Sequence, residues 1–498
     1  MSTALRLHPA NPKLFDYHGR PLVLLTATEH YGAVMNRPFQ FERYLADMAA
    51  RGLTLTRLFG LFRELQSSIN PYSTCKPETP DYLAPFRRTG PGRALDLEPK
   101  YDLDQPNPEY YERLHQFLSL AQDSGVIVEL VLLSNTYAPT IWELNPLNSR
   151  NNINGLEDIP WPDYLSRRHP ALFARQVAHV RRLVAETNRY DNLIYEICNE
   201  PGGAAPVPNS PTVAEVNDWL AALIAVVRET EAALPNQHLI AGQEAFTYEP
   251  WHQPSDLTFA GLDYDIVNLH PLPNTSYAGR SYDLGGFMSK QLKLRAVRDC
   301  GYALYAAPKP LNQDEDNVAS QYKDFDGWTI HRKRAWTVLL TGGHYDYIDF
   351  SIINGAETGT ASSQAAVRSW FQHLAGFIHS FDLARAHPLP GLVSAAPPHA
   401  LDVAFGVPGE DLAVYLADER ELATARDLPD GDLLDRGAGQ PISGALTLAL
   451  PPGDYALSVF DPQTGQAAAA APVTSTGAPL TLPVGPFTHD TVLRLRRA

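Results

Sequence analysis

Two acidic side chains in this sequence follow short apolar runs, at positions where they could take part in chemistry. Glu200 ends the stretch LIYEICNE, which begins at residue 193 and continues into Pro-Gly-Gly. Glu315 lies in the acidic triplet Asp314-Glu315-Asp316. Two facing carboxyl groups can share one reaction, because one protonates a leaving oxygen while the other attacks carbon or activates water. The pair can act in this way only if the fold brings the two acids together.

The elements around these acids alternate between short apolar runs and helical patterns. The predicted strands are residues 21–27, 53–60, 126–134, 192–198, 238–243, 265–270, a seventh within 302–316, and 344–352. The predicted helices are residues 39–52, 108–125, 169–188, 212–234, 284–301, 328–340 and 363–385. Continuous apolar runs are typical of strands covered on both faces. Eight such units predict a (β/α)8 TIM barrel over residues 1–388, with insertions at about 60–108 and 135–168.

The residues after Pro388 follow a different pattern of apolar and polar residues. Short alternating strands joined by turns such as GVPGED and DPQTG predict a small antiparallel β-sandwich over residues 392–498. The structural alternative for the first part is an open doubly wound sheet. That fold favours a Gly-rich phosphate turn after its first strand, and the sequence there reads TATEHYG. The sequence therefore favours a barrel followed by a sandwich.

The composition argues against several classes of partner. The 498-residue chain has a formal net charge of −16 and no run of Lys or Arg that could form a basic face for nucleic acid. Its three cysteines are widely spaced and form no CxxC, so neither a disulfide framework nor a zinc site is indicated. There is no N-terminal apolar segment and no run of ~18 apolar residues. We therefore expect a cytoplasmic protein with neither a nucleic-acid nor a membrane partner.

The barrel prediction gives the two acids a common location. In TIM barrels the chemistry lies at the C-terminal ends of the strands. Glu200 ends predicted strand four and Glu315 ends predicted strand seven, so the two can face each other across the barrel mouth. Arg57, in strand two, would hold Glu315 ionised if the two side chains meet. Burial is expected to raise the pKa of Glu200 and keep that residue protonated at neutral pH.

Further candidates for ligand contact are polar or aromatic residues at other strand ends and in the insertions. They are Glu29, His30, Tyr31, Asn135, Trp142, Asn199, His270, Tyr277, Tyr345 and Asp346. Aromatic side chains can stack on sugar faces, but each of them is as easily explained as core. Acidic loop residues are most often solvated, so the acidic triplet alone is weak evidence for a site.

Together these residues resemble a known group, the clan-A glycoside hydrolases. The resemblance rests on Asn-Glu-Pro at the end of strand four, a Glu after strand seven, an Arg in strand two and a His after strand six. It is strongest to the cellulase-like members, which often carry a C-terminal β-sandwich. It implies a carbohydrate substrate and a retaining mechanism with Glu200 as acid/base and Glu315 as nucleophile. It also implies that Asn199 holds the sugar 2-hydroxyl, while Arg57 and His270 support the nucleophile and the reacting sugar.

Two departures limit what the resemblance implies about the substrate. The clan often has a Trp at the end of strand eight, whereas this sequence reads GGHYDYIDFS there. Strand one ends on Glu29-His30-Tyr31, unlike the usual cellulases. The clan implies an equatorial bond, as in a β-D-glucoside, β-mannoside or α-L-arabinoside. The Pro-rich insertions favour a closed pocket and exo action on short oligosaccharides.

Three alternatives share some of these features. A transglycosylase would use the same two glutamates and differ only in what attacks the intermediate. A metal-dependent barrel hydrolase would use Glu29, His30, His270 and Asp346 as ligands, but the usual strand-one HxH is missing. A non-catalytic sugar-binding protein would bind glycan without turnover, and retention of both glutamates argues against it. We predict no metal and no cofactor.

Overall fold

Eight parallel strands form a closed barrel in the computed structural model of the chain. The structure describes residues 4–26, 32–63, 79–248, 261–270, 272–284, 293–316, 329–347, 361–420, 437 and 439–498. The barrel strands β1 to β8 are Leu25–Thr26, Leu55–Phe59, Ile127–Ser134, Leu193–Asn199, Leu239–Gly242, Ile266–Asn268, Leu311–Gln313 and His344–Asp346. Strands β2 to β8 pair in sequence order, and β8 also pairs with β1. The Thr54 amide closes the barrel between β1 and β2 by donating to the Leu25 carbonyl at 3.0 Å.

Within the described residues, helices follow seven of these strands. Their bounds are Phe41–Arg51, Pro108–Asp123, Pro170–Thr187, Val213–Glu231, Leu294–Tyr305, Thr329–Leu340 and Ala361–Ile378. Local sequence fixes several ends: Asn107 caps one helix before Pro108, and Thr212 and Glu215 form a reciprocal capping box before another. Within the described part of the chain, no helix is long and apolar enough to cross a bilayer. The predicted (β/α)8 barrel is confirmed.

Strand β7 is shorter than the predicted run 302–316. Residues up to Tyr305 complete the helix Leu294–Tyr305, whose buried face includes Val297, Cys300 and Leu304. The prolines at 308 and 310 then separate this helix from the strand Leu311–Gln313. An apolar run that crosses a helix end cannot be divided by composition alone.

A small antiparallel sheet covers the N-terminal end of the barrel. Its strands are Arg6–His8, Asn11–Tyr17 and Arg20–Leu22. It contributes to an apolar cluster formed by Leu5, Phe15, Leu22, Leu24, Leu55, Ile127, Ile194, Ala241 and Ile266. The predicted strand 21–27 is therefore two segments, one in this sheet and one in the barrel. The sheet closes the end opposite the two glutamates.

The two insertions pack on the side of the barrel. The first contains a hairpin, Phe86–Arg93 and Pro99–Pro106, and the second a short helix, Pro139–Trp142, and a 3-10 turn, Trp161–Leu165. A bridge between Tyr101 and Asn152 joins them.

The C-terminal part is an antiparallel sandwich. Its larger sheet contains, in spatial order, His387–Pro388, Ala400–Val407, Asp411–Asp418, Asp490–Arg497, Gly453–Phe460 and Ala471–Ser475. Its smaller sheet contains Val393–Ala395, Ile442–Leu448 and Leu480–Phe487. The predicted β-sandwich is confirmed as a fold.

The larger sheet buries both of its faces. Along one strand Leu412, Val414 and Leu416 enter the sandwich core, whereas the alternate residues join the core of the barrel. One of these, Tyr415, stacks on Trp336 of the barrel with ring centroids 5.3 Å apart. Such extensive burial makes the sandwich a packing module of the barrel.

Candidate active site

The two candidate glutamates emerge at the C-terminal ends of β4 and β7. One carboxylate oxygen of Glu200, one of Glu315 and a ring nitrogen of His270 all lie within 4.8 Å of one another. The Glu200 side chain is 14% exposed and the Glu315 side chain 4% exposed. Both residues have left-handed backbone conformations, with φ of 46° and 51°. Non-glycine residues adopt this region at an energetic cost, and such residues cluster at functional sites.

The glycines after Glu200 allow a close packing of backbone and side chain. Gly202 and Gly203 pair with Phe246 and Thr247 in a short parallel bridge. A Cβ on Gly202 would lie 2.4 Å from the ring of Tyr248. This explains why the apolar strand ends in Pro-Gly-Gly: the segment must pass directly under an aromatic ring at the barrel mouth.

Arg57 is the central cation of the site and is fully buried. Its Nη1 donates to Glu315 Oε2 at 2.6 Å, and its Nη2 donates to Asn199 Oδ1 at 2.7 Å. Its Nε and Nη2 also donate to the two carboxylate oxygens of Glu196, at 2.7 and 2.8 Å. One guanidinium thus fixes the positions of three side chains from β4 and the β7 loop.

His270 lies between the carboxyl groups. Its Nδ1 is 3.1 Å from Glu200 Oε1 and 3.7 Å from Glu315 Oε2, while its Nε2 is 2.9 Å from Asp314 Oδ2. Burial lowers the pKa of His270, but the charges of Glu315, Asp314 and Glu200 outweigh burial and hold that pKa well above its usual value. The ring is therefore an imidazolium that donates from both nitrogens.

This arrangement changes the expected protonation of Glu200. Burial raises the pKa of Glu200, but the hydrogen bond and charge of His270, the Tyr137 hydroxyl and Arg57 together bring it below its usual value. The expectation of a raised pKa is therefore wrong for the protein without substrate. A raised pKa of His270 beside a lowered pKa of Glu200 favours a proton on His270, one hydrogen bond from Glu200.

Two amides extend the site toward the mouth. Asn199 Nδ2 donates to the Tyr137 hydroxyl at 2.6 Å. Asn135 Nδ2 donates to the Glu200 carbonyl at 2.9 Å and to the Tyr248 hydroxyl at 2.6 Å. Because an amide nitrogen carries two N–H groups, Asn199 keeps one donor for a ligand hydroxyl.

A layer of buried carboxyl groups lies beneath the pair. Asn268 Nδ2 joins two of its members, Glu129 Oε1 at 2.7 Å and Asp314 Oδ2 at 3.1 Å. Burial, followed by neighbouring carboxylates, raises the pKa values of Glu129 and Asp346 well above their usual range. Burial also raises the pKa of Asp314, but Arg57 and His270 outweigh it and the net shift is downward. The layer thus combines neutral and ionised carboxyl groups.

The donor set fits a protonated histidine better than a metal ion. Two groups could offer three ligand atoms each: Glu196, His270 and Asp314, and Glu200, His270 and Glu315. Both groups depend on His270, whose two nitrogens already face carboxylates at hydrogen-bonding distance. A metal ion would have to replace one of those protons beside the Arg57 guanidinium.

The other residues predicted for the site fall in different places. Asn135, Asn199, Arg57 and His270 gather around the glutamates, whereas Glu29, His30 and Tyr31 lie outside the described residues. Asp346 is fully buried in the carboxyl layer, and Tyr345 faces the other way, its hydroxyl 2.7 Å from Asp316 Oδ2. Trp142 is buried against Tyr164, and Tyr277 packs against Tyr302 near the sandwich.

Sequence reasoning missed Tyr137, Glu196 and Glu129 as parts of the site. Glu129 and Glu196 are single acids inside otherwise apolar strands, VIVELVLLS and LIYEICN. A charged residue in a strand covered on both faces must have a buried partner, so this pattern was the available signal. Tyr137 follows β3 in an irregular segment, and nothing in its sequence context distinguishes it.

The fold is similar to that of solved structures described as glycoside hydrolases. The model of a family described as "Domain of unknown function (DUF6298)" matches residues 75–164, and no curated protein matches the chain. A solved structure described as "Glycoside hydrolase" has a TM-score of 0.58 at 12% identity, covering 99% of this chain and 97% of that chain. A glycoside hydrolase family 5 structure from Bacteroides vulgatus ATCC 8482 has a TM-score of 0.60 at 12% identity, with 99% and 93% covered. The predicted likeness to glycoside hydrolases is confirmed for the fold, over nearly the whole chain.

Proposed function

We propose that the protein is a retaining glycoside hydrolase, with Glu315 as nucleophile and Glu200 as acid/base. The observation that carries this proposal is the close approach of the two carboxylates at the mouth of the barrel, where one oxygen of Glu200 lies within 4.8 Å of one oxygen of Glu315. Retaining enzymes keep their two carboxyl groups about 5–5.5 Å apart, whereas inverting enzymes need about 6.5–9.5 Å to admit a water molecule. The short separation favours retention.

In the first step Glu315 attacks the anomeric carbon while Glu200 protonates the leaving oxygen. Arg57, 2.6 Å from Glu315 Oε2, favours the ionised form that attacks. The proton that Glu200 needs lies on His270 Nδ1, 3.1 Å away. When the glycosidic oxygen reaches Glu200, this proton moves along the hydrogen bond and is then transferred to the leaving group.

In the second step water replaces the leaving group and hydrolyses the glycosyl–Glu315 ester. Glu200 takes a proton from that water and returns it to His270, which restores the starting protonation, and the hydroxyl adds to the anomeric carbon as the ester bond breaks. The sugar leaves with its original anomeric configuration. Arg57 stabilises the carboxylate that is released, because its contacts do not depend on the substrate.

The substrate that fits best is an oligosaccharide with an equatorial glycosidic bond. The free N–H of Asn199 is placed to donate to a sugar hydroxyl beside the reacting carbon. The resemblance to clan-A glycoside hydrolases implies such a bond, as in a β-D-glucoside, a β-mannoside or an α-L-arabinoside. A transglycosylase would share this geometry and would differ in transferring the glycosyl group to a sugar hydroxyl.

A panel of aryl glycosides and oligosaccharides tests the proposal. On the substrate that is cleaved, Glu200→Ala should lower kcat/KM by about 10²–10⁴-fold, and Glu315→Ala should lower it at least as far. Glu244→Gln is the matched control, since Glu244 lies two residues after β5 as Glu315 does after β7, and it should keep activity. NMR of the first product should show the retained anomer. Full activity in either alanine variant, or an inverted product, would contradict the proposal.

A further inference from the structure

A second cavity lies on the flank of the barrel, away from the two glutamates. Its volume is about 230 Å³. The hairpin Phe86–Arg93/Pro99–Pro106 covers it, and the helices Pro108–Asp123 and Pro170–Thr187 form its base. Drug-sized ligands occupy roughly 300–1,000 Å³, so this flank cavity is suited to a single ring.

One face of the helix Pro170–Thr187 supplies the polar side of the cavity. Arg175, Ala178, His179 and Arg182 follow the i, i+3, i+4, i+7 pattern of one helix face, and all line it. Ala178 is the smallest of the four, and its short side chain leaves the space that the others surround.

His179 is a buried polar group in the wall of the cavity. It is 2% exposed, and burial lowers its pKa to about 4, so the ring is neutral. The Leu132 carbonyl lies near the ring, but neither ring nitrogen completes a hydrogen bond with a described group. Burying an imidazole whose nitrogens lack hydrogen bonds costs folding free energy. A ligand hydroxyl in the cavity would supply the missing hydrogen bond.

The walls and rim add apolar surface and positive charge. Phe86, Leu103 and Tyr111 line the cavity and provide faces on which a ring can pack. Arg175 pairs with Asp104, which neutralises the lining carboxylate. Arg182 lies over the Tyr111 ring and, among the residues that the structure describes, pairs only with the half-buried Glu186 on its own helix, at 2.9 Å. Such partly exposed pairs are weak, so a ligand carboxylate can displace Glu186.

We propose that the flank cavity binds one acidic pyranose, a uronic acid, as a non-catalytic site. The carboxylate would meet the Arg182 guanidinium, the ring would pack between Phe86 and Tyr111, and hydroxyl groups would meet His179. A planar guanidinium recognises a carboxylate through two parallel hydrogen bonds, which selects acidic over neutral sugars. This site is independent of the proposed hydrolysis.

Isothermal titration of the full-length protein with glucuronate and galacturonate tests the proposal. Glucose and galactose are the matched neutral probes, and they should bind at least tenfold more weakly than the acids. Ala178→Leu fills the cavity, and Arg182→Gln removes the guanidinium group from an exposed position. Each change should weaken uronate binding at least tenfold while leaving kcat/KM on an aryl glycoside unchanged.

Three results would overturn the proposal. They are equal binding of neutral and acidic sugars, absence of uronate binding, and unchanged uronate binding in both variants. Arg182→Gln keeps the test valid if Ala178→Leu disturbs folding, because the Arg182 side chain is 47% exposed. Thermal denaturation of both variants checks that each is folded.

Discussion

The matched substitutions Asp314→Asn and Asp346→Asn test the carboxyl layer beneath the active site. Both aspartates are fully buried, and they lie at the ends of neighbouring strands. Asp314 is ionised between two cations, 3.2 Å from Arg57 Nε and 2.9 Å from His270 Nε2. Asp346 has a pKa raised well above its usual range by burial and by Asp314. The same substitution should therefore lower the free energy of unfolding at Asp314, whereas at Asp346 it should raise that free energy relative to the wild type as pH rises.

Asp314→Asn removes a buried charge that two cations need. Breaking one member of a buried ion pair costs about 3–5 kcal/mol of folding free energy, because the partner charge is left uncompensated. The pKa of Asp314 is lowered, so its stabilisation is complete above the unfolded value of about 3.9 and is lost only as pH falls through the lower folded value. Between pH 5 and 7 the deficit of this variant should be constant.

Asp346→Asn removes no charge at neutral pH. The folded protein keeps the proton of Asp346 at pH values where the unfolded chain has lost it, so the folded state binds more protons. Wild-type stability therefore falls by about 1.4 kcal/mol per pH unit from this group as pH rises above about 4. Asparagine does not titrate, so this loss is absent from the variant. The free energy of unfolding of Asp346→Asn should therefore rise relative to the wild type by that slope, until the pH reaches the pKa of Asp346 in the folded protein.

Urea denaturation followed by tryptophan fluorescence at pH 5, 6 and 7 measures both effects. Compared with the wild type at the same pH, we expect Asp314→Asn to lose the same free energy of unfolding at all three pH values. The free energy of unfolding of Asp346→Asn relative to the wild type should rise from pH 5 to pH 7. A loss of several kcal/mol in Asp346→Asn that does not shrink with pH would refute the reasoning, since it would mean that Asp346 is ionised in the folded protein.

Three further predictions concern the buried arginine of the site, the tyrosine beside Glu200 and the ion pair between barrel and sandwich. Arg57→Lys should lower kcat/KM on the cleaved substrate by about 10²-fold or more, since an ammonium cannot make the forked contacts; circular dichroism checks the fold. Tyr137→Phe removes a hydrogen bond that lowers the pKa of Glu200, so the alkaline limb of the pH profile of kcat/KM should move to higher pH, and a downward shift would contradict this. Asp490→Asn leaves Arg332 unpaired between barrel and sandwich and should cost about 3–5 kcal/mol in unfolding experiments without changing kcat at 25 °C; an unchanged unfolding midpoint would contradict the packing role.

Most of the barrel could be predicted from the sequence because its strands are short, continuous apolar runs. Strands β2 to β5 fall within one to two residues of the predicted ranges. The N-terminal sheet could not be separated from β1, because 21–27 is a single apolar run that serves two sheets. The boundary at Tyr305 was missed because the helix continues four residues past Gly301, into the run from which the strand was predicted.

The two glutamates could be found from the sequence because strand ends and spacing identify them. The protonation of the site could not, since it depends on His270 lying between three carboxylates from two separate loops. Tyr345 and Asp346 illustrate a second limit. Both stand at a strand end, but alternation turns Tyr345 toward Asp316 and Phe371, whereas Asp346 lies in the buried carboxyl layer beneath the mouth.

The central claim is that Glu315 forms a covalent bond to the sugar. An activated 2-deoxy-2-fluoro glycoside of the cleaved sugar slows the second step and should accumulate the glycosyl-enzyme. Mass spectrometry of the intact protein should show one added glycosyl group, and peptide mapping should locate it on Glu315. Absence of a covalent adduct during turnover, or an adduct on a different carboxylate, would contradict the account.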